Sequence, residues 1–305
     1  MTVSFGLKAA HEQFSPRQLL EYAVLAEKVG IHSIWASDHF HPWAHSDAHS
    51  GFAWIWMASA AEKTTNMIVG TGVTAPTFRY HPAIVAQAFG TLGHLYPGRV
   101  RLGLGTGEAL NEVPLGYAWP SGKERHERLE EAIKIIRMLW DGDFVSYRGK
   151  YYTLRNAKMY TKAKHPVPLY LAAFGPKMAR LAGKHADAFY SFLSQPPDYY
   201  KNTLFPAVRK SAEEAGRDFG KMNSSIEMLF SYDENIDKAM ESVRFWGGSL
   251  LPVFFKYGIS DPREIEEHGR KVGSEVMKKT WVITTTPDDI IQRAESCYDA
   301  GFKHL

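Results

Sequence analysis

Short apolar runs alternate with stretches of helical periodicity along the whole of this chain, and no other feature restricts its fold as strongly. "VSFGLKA" precedes "SPRQLLEYAVLAEKVG", where Ser15 reads as an N-cap, Pro16 as the first helical residue and Gly30 as the stop. "SIWASD" precedes "FAWIWMASAAEKT", and "MIVGTGVT" precedes "HPAIVAQAFGTLGHLYPG". "VRLGLGTG" leads to "GKERHERLEEAIKIIRMLWDG", whose Leu129, Ile133, Ile136, Met138 and Leu139 share one helical face. "PLYLAAF", "PKMARLAGKHA", "AFYSFLS", "KNTLFPAVRKSAEEAG" and "SIEMLFSY" continue the rhythm. A strand followed by a helix, again and again, is the signature of a parallel sheet. With right-handed crossovers and 305 residues, a (β/α)8 TIM barrel forming a single domain over 1–305 is the expected α/β architecture. A doubly wound open sheet is the alternative.

Two segments interrupt the alternation. Residues 141–166 read as a β-hairpin insertion. Residues 236–282 read as a helical, aromatic insertion broken at Gly247, Gly248 and Pro252. The closing "PDDIIQRAESCYDAGFKHL" reads as a helix, a glycine stop and the opening of one more strand, so most of strand eight and its helix are expected beyond Leu305.

Composition excludes several classes of function. A net charge of +3, with no Lys/Arg block, gives no basic stripe for nucleic acid. The longest apolar runs fall far short of the roughly 20 residues a membrane span needs. The opening "MTVSFGLKAAHEQF" lacks the basic start and long apolar stretch of a signal peptide. The single cysteine, Cys297, rules out an internal disulfide and a cysteine-based metal cluster, which suits a reducing cytoplasm.

In a barrel of this kind the chemistry sits where strands end. Candidates stand at the ends of the first four strands: Glu12, the pair Asp38 and His39, the string "TGVTAPT", and "GTGEALNE". His39, His41, His45 and His49 with Asp38 and Asp47 offer metal ligands, but an irregular loop crowded by Pro42 and Trp43 places no three of them on one centre; no metal is expected. "GLGTGEAL" is not the G-x-G-x-x-G of a nicotinamide site, and its glycines are read as letting a planar ligand approach the backbone or as a tight turn alone. A histidine and a carboxylate facing one opening, His39 and Glu108, form an acid and base pair.

Taken together, "EQF", "SDHFHPW", "PTFRYHPAIVAQAF", "LYPGRV", "GTGEALNEVP", "VPLYLAAFGP" and "RFWGGSLLPVFFKY" resemble the luciferase-like superfamily, in its branch that uses the deazaflavin coenzyme F420. The resemblance implies a barrel with the deazaflavin in its C-terminal mouth. It implies cofactor contacts from Asp38, Ala75, Thr106, Gly107 and Asn111, and a cis peptide at Gly72–Val73 forming a bulge behind the ring. Phe174, Gly175, Lys177 and Met178 would hold the phosphate-bearing side, where a helix opens. An alcohol carbon would give hydride to C5 of the cofactor, His39 would take the hydroxyl proton, Glu108 would supply one to the ring, and Trp43 would wall the substrate.

The same branch includes enzymes of secondary alcohols and of glucose 6-phosphate. The sugar-phosphate enzymes hold their phosphate with a threonine, two lysines and an arginine. At those positions stand Phe192, Gln195, Lys256 and Thr280, so only one cation remains. With Glu12 these complete the expected substrate contacts. The expected substrate is an unphosphorylated, secondary alcohol, and glucose 6-phosphate is the runner-up. An FMN-dependent monooxygenase on the same barrel and a non-catalytic F420-binding protein remain open, and a homodimer is implied by the resemblance.

Overall fold

The apolar runs assemble as strands in the computed structural model, which describes residues 3–305. They are β1 (Gly6–Ala9), β2 (Ser33–Ala36), β3 (Ile68–Thr71), β4 (Val100–Leu104), β5 (Val145–Arg148), β6 (Thr153–Ala157), β7 (Leu169–Ala172), β8 (Ala188–Phe192), β9 (Asn223–Glu227), β10 (Leu229–Tyr232) and β11 (Trp281–Thr284). Seven of them form one sheet in the order β1-β2-β3-β4-β7-β8-β9, and every adjacent pair is parallel. That order never reverses, so the sheet lacks the switch point of a doubly wound fold. The two edges meet at the C-terminal residues. His304 bridges both Ser4 and Ser225 in parallel register, and the Gly6 N–H donates to the Leu305 carbonyl at 2.7 Å. Residues 303–305 therefore join the two edges and close one end of the barrel. Past that point the seam between β1 and β9 widens into a cavity of about 720 Å³, lined by Phe5, Leu7, Trp35, Ile226, Met228 and Phe230 among others.

Helices cover the outside for reasons visible residue by residue. Helix Pro16–Lys28 opens on a capping box between Ser15 and Gln18 and stops before Gly30, whose φ of +87° is left-handed. It buries Leu19, Ala23 and Ala26. Helix Pro82–Leu95 buries Phe89 completely, a side chain whose removal from water contributes about 2–3 kcal/mol. Covered on both faces, β2 reads as the unbroken run "SIWA" and is buried throughout.

Both insertions form. β5 and β6 pair only with each other, antiparallel, and Glu131 anchors the turn by accepting the N–H groups of Lys150 at 2.8 Å and Tyr151 at 3.1 Å. The second insertion is helical from Ile236 to Thr280 but ends earlier than the sequence suggests. Trp281–Thr284 is the strand β11, because "WVIT" pairs in parallel with β10. "SIEMLFSY", which reads as one strand, is split at Met228 into β9 and β10, each with a different partner. The aromatic stripe of the insertion folds inward: Phe254 and Ile265 pack on Trp43 and Leu110. No helix of the described residues is long and apolar enough to cross a membrane.

Candidate active site

Strand ends bring the candidates together. Glu12 lies just after β1, Asp38 and His39 just after β2, Thr74 and Ala75 just after β3, and Thr106 to Glu108 just after β4. Because the strands are parallel and consecutive, all of these lie at one end of the barrel.

His39 is the centre of the cluster. Its Nε2 lies 3.3 Å from Glu12 Oε1 and 3.4 Å from Glu108 Oε2. Its Nδ1 lies 3.2 Å from the carbonyl of His41, which only accepts, so Nδ1 carries a hydrogen. Three acceptors would otherwise meet at Nε2, so at least one hydrogen must sit on that nitrogen or on a facing carboxyl. Burial pushes Glu108 above the ordinary carboxyl value; His39 opposes this and Glu12 adds to it. The shared hydrogen therefore has a natural seat on Glu108. The Glu108 side chain keeps 31% of its surface exposed, whereas Glu12 keeps 3%. Glu12, expected to meet substrate, is instead walled in: Ser37 Oγ donates to its Oε2 at 2.5 Å and its other oxygen faces the base. Trp43 is 6% exposed, its ring 5.9 Å from that of His39 and 5.1 Å from that of Phe255.

Asp38 does not pair with His39. Its carboxylate receives Thr74 Oγ1 at 2.6 Å, Tyr80 Oη at 3.1 Å and Arg79 Nη2 at 3.0 Å. Arg79 also donates through Nη1 to Glu112 at 3.1 Å and through its backbone N–H at 3.0 Å. Burial works against the charge on Arg79, but Asp38 and Glu112 outweigh it and hold the guanidinium protonated. Asn111, buried, accepts the N–H groups of Phe40 at 2.8 Å and His41 at 3.3 Å, and donates to Glu108 Oε2 at 3.3 Å. It thus joins the loop of the base to the acid. Arg79, Thr74, Tyr80 and Glu112 had no signal of their own in the sequence beyond lying in or beside the quoted strings.

Gly103 in β4 and Gly105 just after it have a packing reason of their own. A Cβ on Gly103 would lie 1.9 Å from the Thr71 carbonyl oxygen, and one on Gly105 would lie 2.7 Å from Val73 Cγ2. The protein itself fills that space. The Gly72–Val73 peptide, which is cis, leads Val73 against Gly105, and Lys8 Nζ donates to the Gly72 carbonyl. Gly107 has φ of +81°, a left-handed conformation that favours glycine. Thr106, half-buried, accepts Thr77 Oγ1 at its carbonyl at 3.5 Å, and Ala75 is buried beside Gly107.

Further round the barrel, Phe174, Gly175, Lys177 and Met178 open helix Pro176–His185. Its first internal bond runs from the Ala179 N–H to the Gly175 carbonyl, which leaves the N–H groups of Lys177 and Met178 outside the helical ladder. A Cβ at Gly175 would meet nothing within 4 Å, and Phe174 is 55% exposed, so this helix end stands open.

The expected substrate residues are more scattered. Phe192 ends β8 and Gln195 follows in an exposed loop that Tyr200 Oη supports. Thr280 ends a helix of the second insertion. Lys256 is exposed, stacked 4.9 Å over the Tyr257 ring, and lines a cavity of about 690 Å³ with Arg125, Tyr117 and Trp119. The hydrogen bonds of the described residues join none of the four to another. The described residues hold no group of three or more His, Cys, Asp or Glu placed for a metal ion; His41 faces the Ser260 carbonyl instead.

This geometry has known counterparts. An F420-dependent glucose-6-phosphate dehydrogenase of Mycolicibacterium fortuitum is 44% identical over 305 residues, covering 99% of this chain and 91% of the relative. That of Nakamurella multipartita is 42% identical over 303 residues, covering 99% and 89%. The solved structure of an F420-dependent secondary alcohol dehydrogenase in complex with an F420-acetone adduct superposes with a TM-score of 0.95 at 42% identity, covering 100% of this chain and 92% of that one. Residues 2–304 match the family described as luciferase-like monooxygenase, and with that match spanning the barrel and its strand-end cluster, the chain belongs to the luciferase-like family.

Proposed function

We propose that the chain is a coenzyme F420-dependent oxidoreductase acting on alcohols, with an unphosphorylated secondary alcohol as its preferred substrate. One observation carries this reading: His39 Nε2 lies between two carboxylates at the strand ends of a parallel barrel, one carboxylate buried and one opening outward. The relatives at 42–44% identity and the neighbour at TM-score 0.95 support the cofactor, since their names all specify F420.

The residues present fit such a cofactor. Open N–H groups and Lys177 at the start of helix Pro176–His185 suit a phosphate. Val73, packed against Gly105 just after β4, offers an apolar wall. When bound, F420 supplies a two-electron hydride acceptor at carbon that does not activate oxygen, which disfavours the monooxygenase alternative. His39, with Nδ1–H fixed on the His41 carbonyl, presents Nε2 as the base for the alcohol proton. Glu12, 3.3 Å from that same Nε2, then lies beside the imidazolium so formed, and its charge stabilises it. Glu108 holds the proton that balances arrival of the hydride, and Asn111 steers its Oε2. Trp43 closes the apolar side and excludes water.

For the substrate, Phe192, Gln195 and Thr280 bring no cation, and Lys256 stands alone among the four positions. A sugar phosphate is the second reading. It is favoured by the glucose-6-phosphate dehydrogenases among the sequence relatives and by Arg125, which lines the same cavity as Lys256 and adds a second cation there. Loss of oxidised F420 absorbance, followed with 2-propanol, larger secondary alcohols and glucose 6-phosphate, separates the readings. Turnover with the alcohols alone supports the first. Turnover with the sugar phosphate alone supports the second, and turnover with neither, at any pH, removes both. His39→Ala and Glu108→Gln should each retain F420 binding and lose about 10²- to 10⁴-fold in kcat. A storage protein would be indifferent to both.

A further inference from the structure

The catalytic separation depends on two pieces of backbone that share no local structure. His39 rides on an irregular loop after β2. Glu108 caps the helix Ala109–Glu112, a single turn too short to hold its own shape. Asn111 ties the two directly, and Arg79 is placed to add a second, charged tie. Its side chain is 5% exposed, and its fork ends on two carboxylates from the two elements: Asp38, the residue before His39, at 3.0 Å, and Glu112, one turn after Glu108, at 3.1 Å. It also donates to the Asp38 carbonyl, so three of its contacts grip the strand-two loop and helix at once. Thr74 and Tyr80 fill the remaining carboxylate positions of Asp38, which leaves that group no freedom to follow a moving partner.

We propose that Arg79 is a positioning residue that sets the separation of His39 and Glu108, by clamping the loop that carries the first to the short helix that carries the second. The inference rests on the reading of His39 and Glu108 given above. A planar five-donor fork is required, because one ammonium cannot reach two carboxylates in fixed directions. Glu108 is faced by His39 and Glu12, with Asn111 on its Oε2, while Arg79 and Lys8 act on it from within the barrel and Asp38 and Glu112 lie behind Arg79.

The test uses Arg79→Lys and Glu112→Gln beside the wild-type chain. In Arg79→Lys the charge is kept and the fork is lost, so kcat with F420 and 2-propanol should fall on the order of 100-fold, as misplacement of reacting groups does. The Kd for F420, read from its fluorescence, should stay unchanged. In Glu112→Gln one arm of the clamp is weakened and a negative charge leaves, so kcat should fall as well. In the cofactor-free protein, the infrared C=O stretch of protonated Glu108, assigned by difference from Glu108→Gln, should titrate as in wild type for Arg79→Lys and at lower pH for Glu112→Gln. Wild-type kcat in either folded variant, or an unmoved Glu108 band in Glu112→Gln, overturns the proposal. If Arg79→Lys fails to fold, Glu112→Gln decides alone. If the wild-type chain turns over no alcohol or sugar phosphate, the proposed function fails, while the infrared titration still decides whether Glu112 acts on Glu108.

Discussion

Replacing Asn111 by aspartate changes one atom type and separates two jobs that the amide performs together. Asn111 Oδ1 accepts the N–H groups of Phe40 and His41, and an aspartate oxygen keeps both bonds. The amide nitrogen, 3.3 Å from Glu108 Oε2, becomes a second oxygen facing a carboxylate. Two unit charges at that distance repel by about 5 kcal/mol at an effective dielectric of 20 and about 1.3 kcal/mol in bulk water. At 1.36 kcal/mol per pH unit these bounds correspond to about 1 and about 4 units on the proton affinity of the pair. Because the Glu108 side chain is 31% exposed, the lower part of that range applies, about 1 to 2 pH units. Burial already holds Glu108 protonated above the ordinary range, and the added charge acts in the same direction. With Glu108 as the proposed proton donor, the alkaline limb of the kcat profile with F420 and 2-propanol should move upward by that amount. Asn111→Ala is the control for the other job: it strands two backbone N–H groups and should cost about 2–4 kcal/mol in a urea titration, which Asn111→Asp should not. An alkaline limb that stays in place in folded Asn111→Asp would refute the coupling of Asn111 to Glu108.

Three further outcomes follow from the same coordinates. Glu108 binds its proton more tightly folded than unfolded, so wild-type stability should fall as pH rises from the ordinary carboxyl value through the raised one; Glu108→Gln lacks this loss, and its Tm advantage should grow with pH across that window. Gly105→Ala drives a Cβ to within 2.7 Å of Val73 Cγ2 and should cost about 1–3 kcal/mol by chemical denaturation, most of it recovered in Gly105→Ala with Val73→Ala. Lys177→Ala at the open helix start should weaken F420 binding about tenfold with kcat at saturation unchanged, as loss of one charge-assisted hydrogen bond would; equal affinity at low salt would show that the phosphate lies elsewhere.

Much of the architecture was legible before any coordinate. Ser15, Gln18 and Gly30 announce both ends of the first helix, and the unbroken run "SIWA" announces a strand buried on both faces. The place of β11 was not legible, because "WVIT" follows a helical insertion and becomes a strand only beside β10. The reason for Gly103 and Gly105 was also hidden. The residues that exclude a Cβ there, Thr71 and Val73, come from the end of β3 and the segment just after it. His39 and Glu108 were visible as chemistry at strand ends, but Glu12 was assigned to substrate, and only the fold turns it inward onto the base.

Local periodicity and capping are properties of neighbours in sequence, so they were sufficient to specify a parallel sheet and to point to the ends of its strands, while the unreversed strand order that excludes the doubly wound alternative came from the fold. Which groups touch there is set by strand register and by side chains arriving from β1, β2, β3 and β4 at once. Arg79 between Asp38 and Glu112 is the plainest case: partners 41 and 33 residues distant share no periodicity with it, and only the folded parallel sheet brings the two carboxylates to one guanidinium.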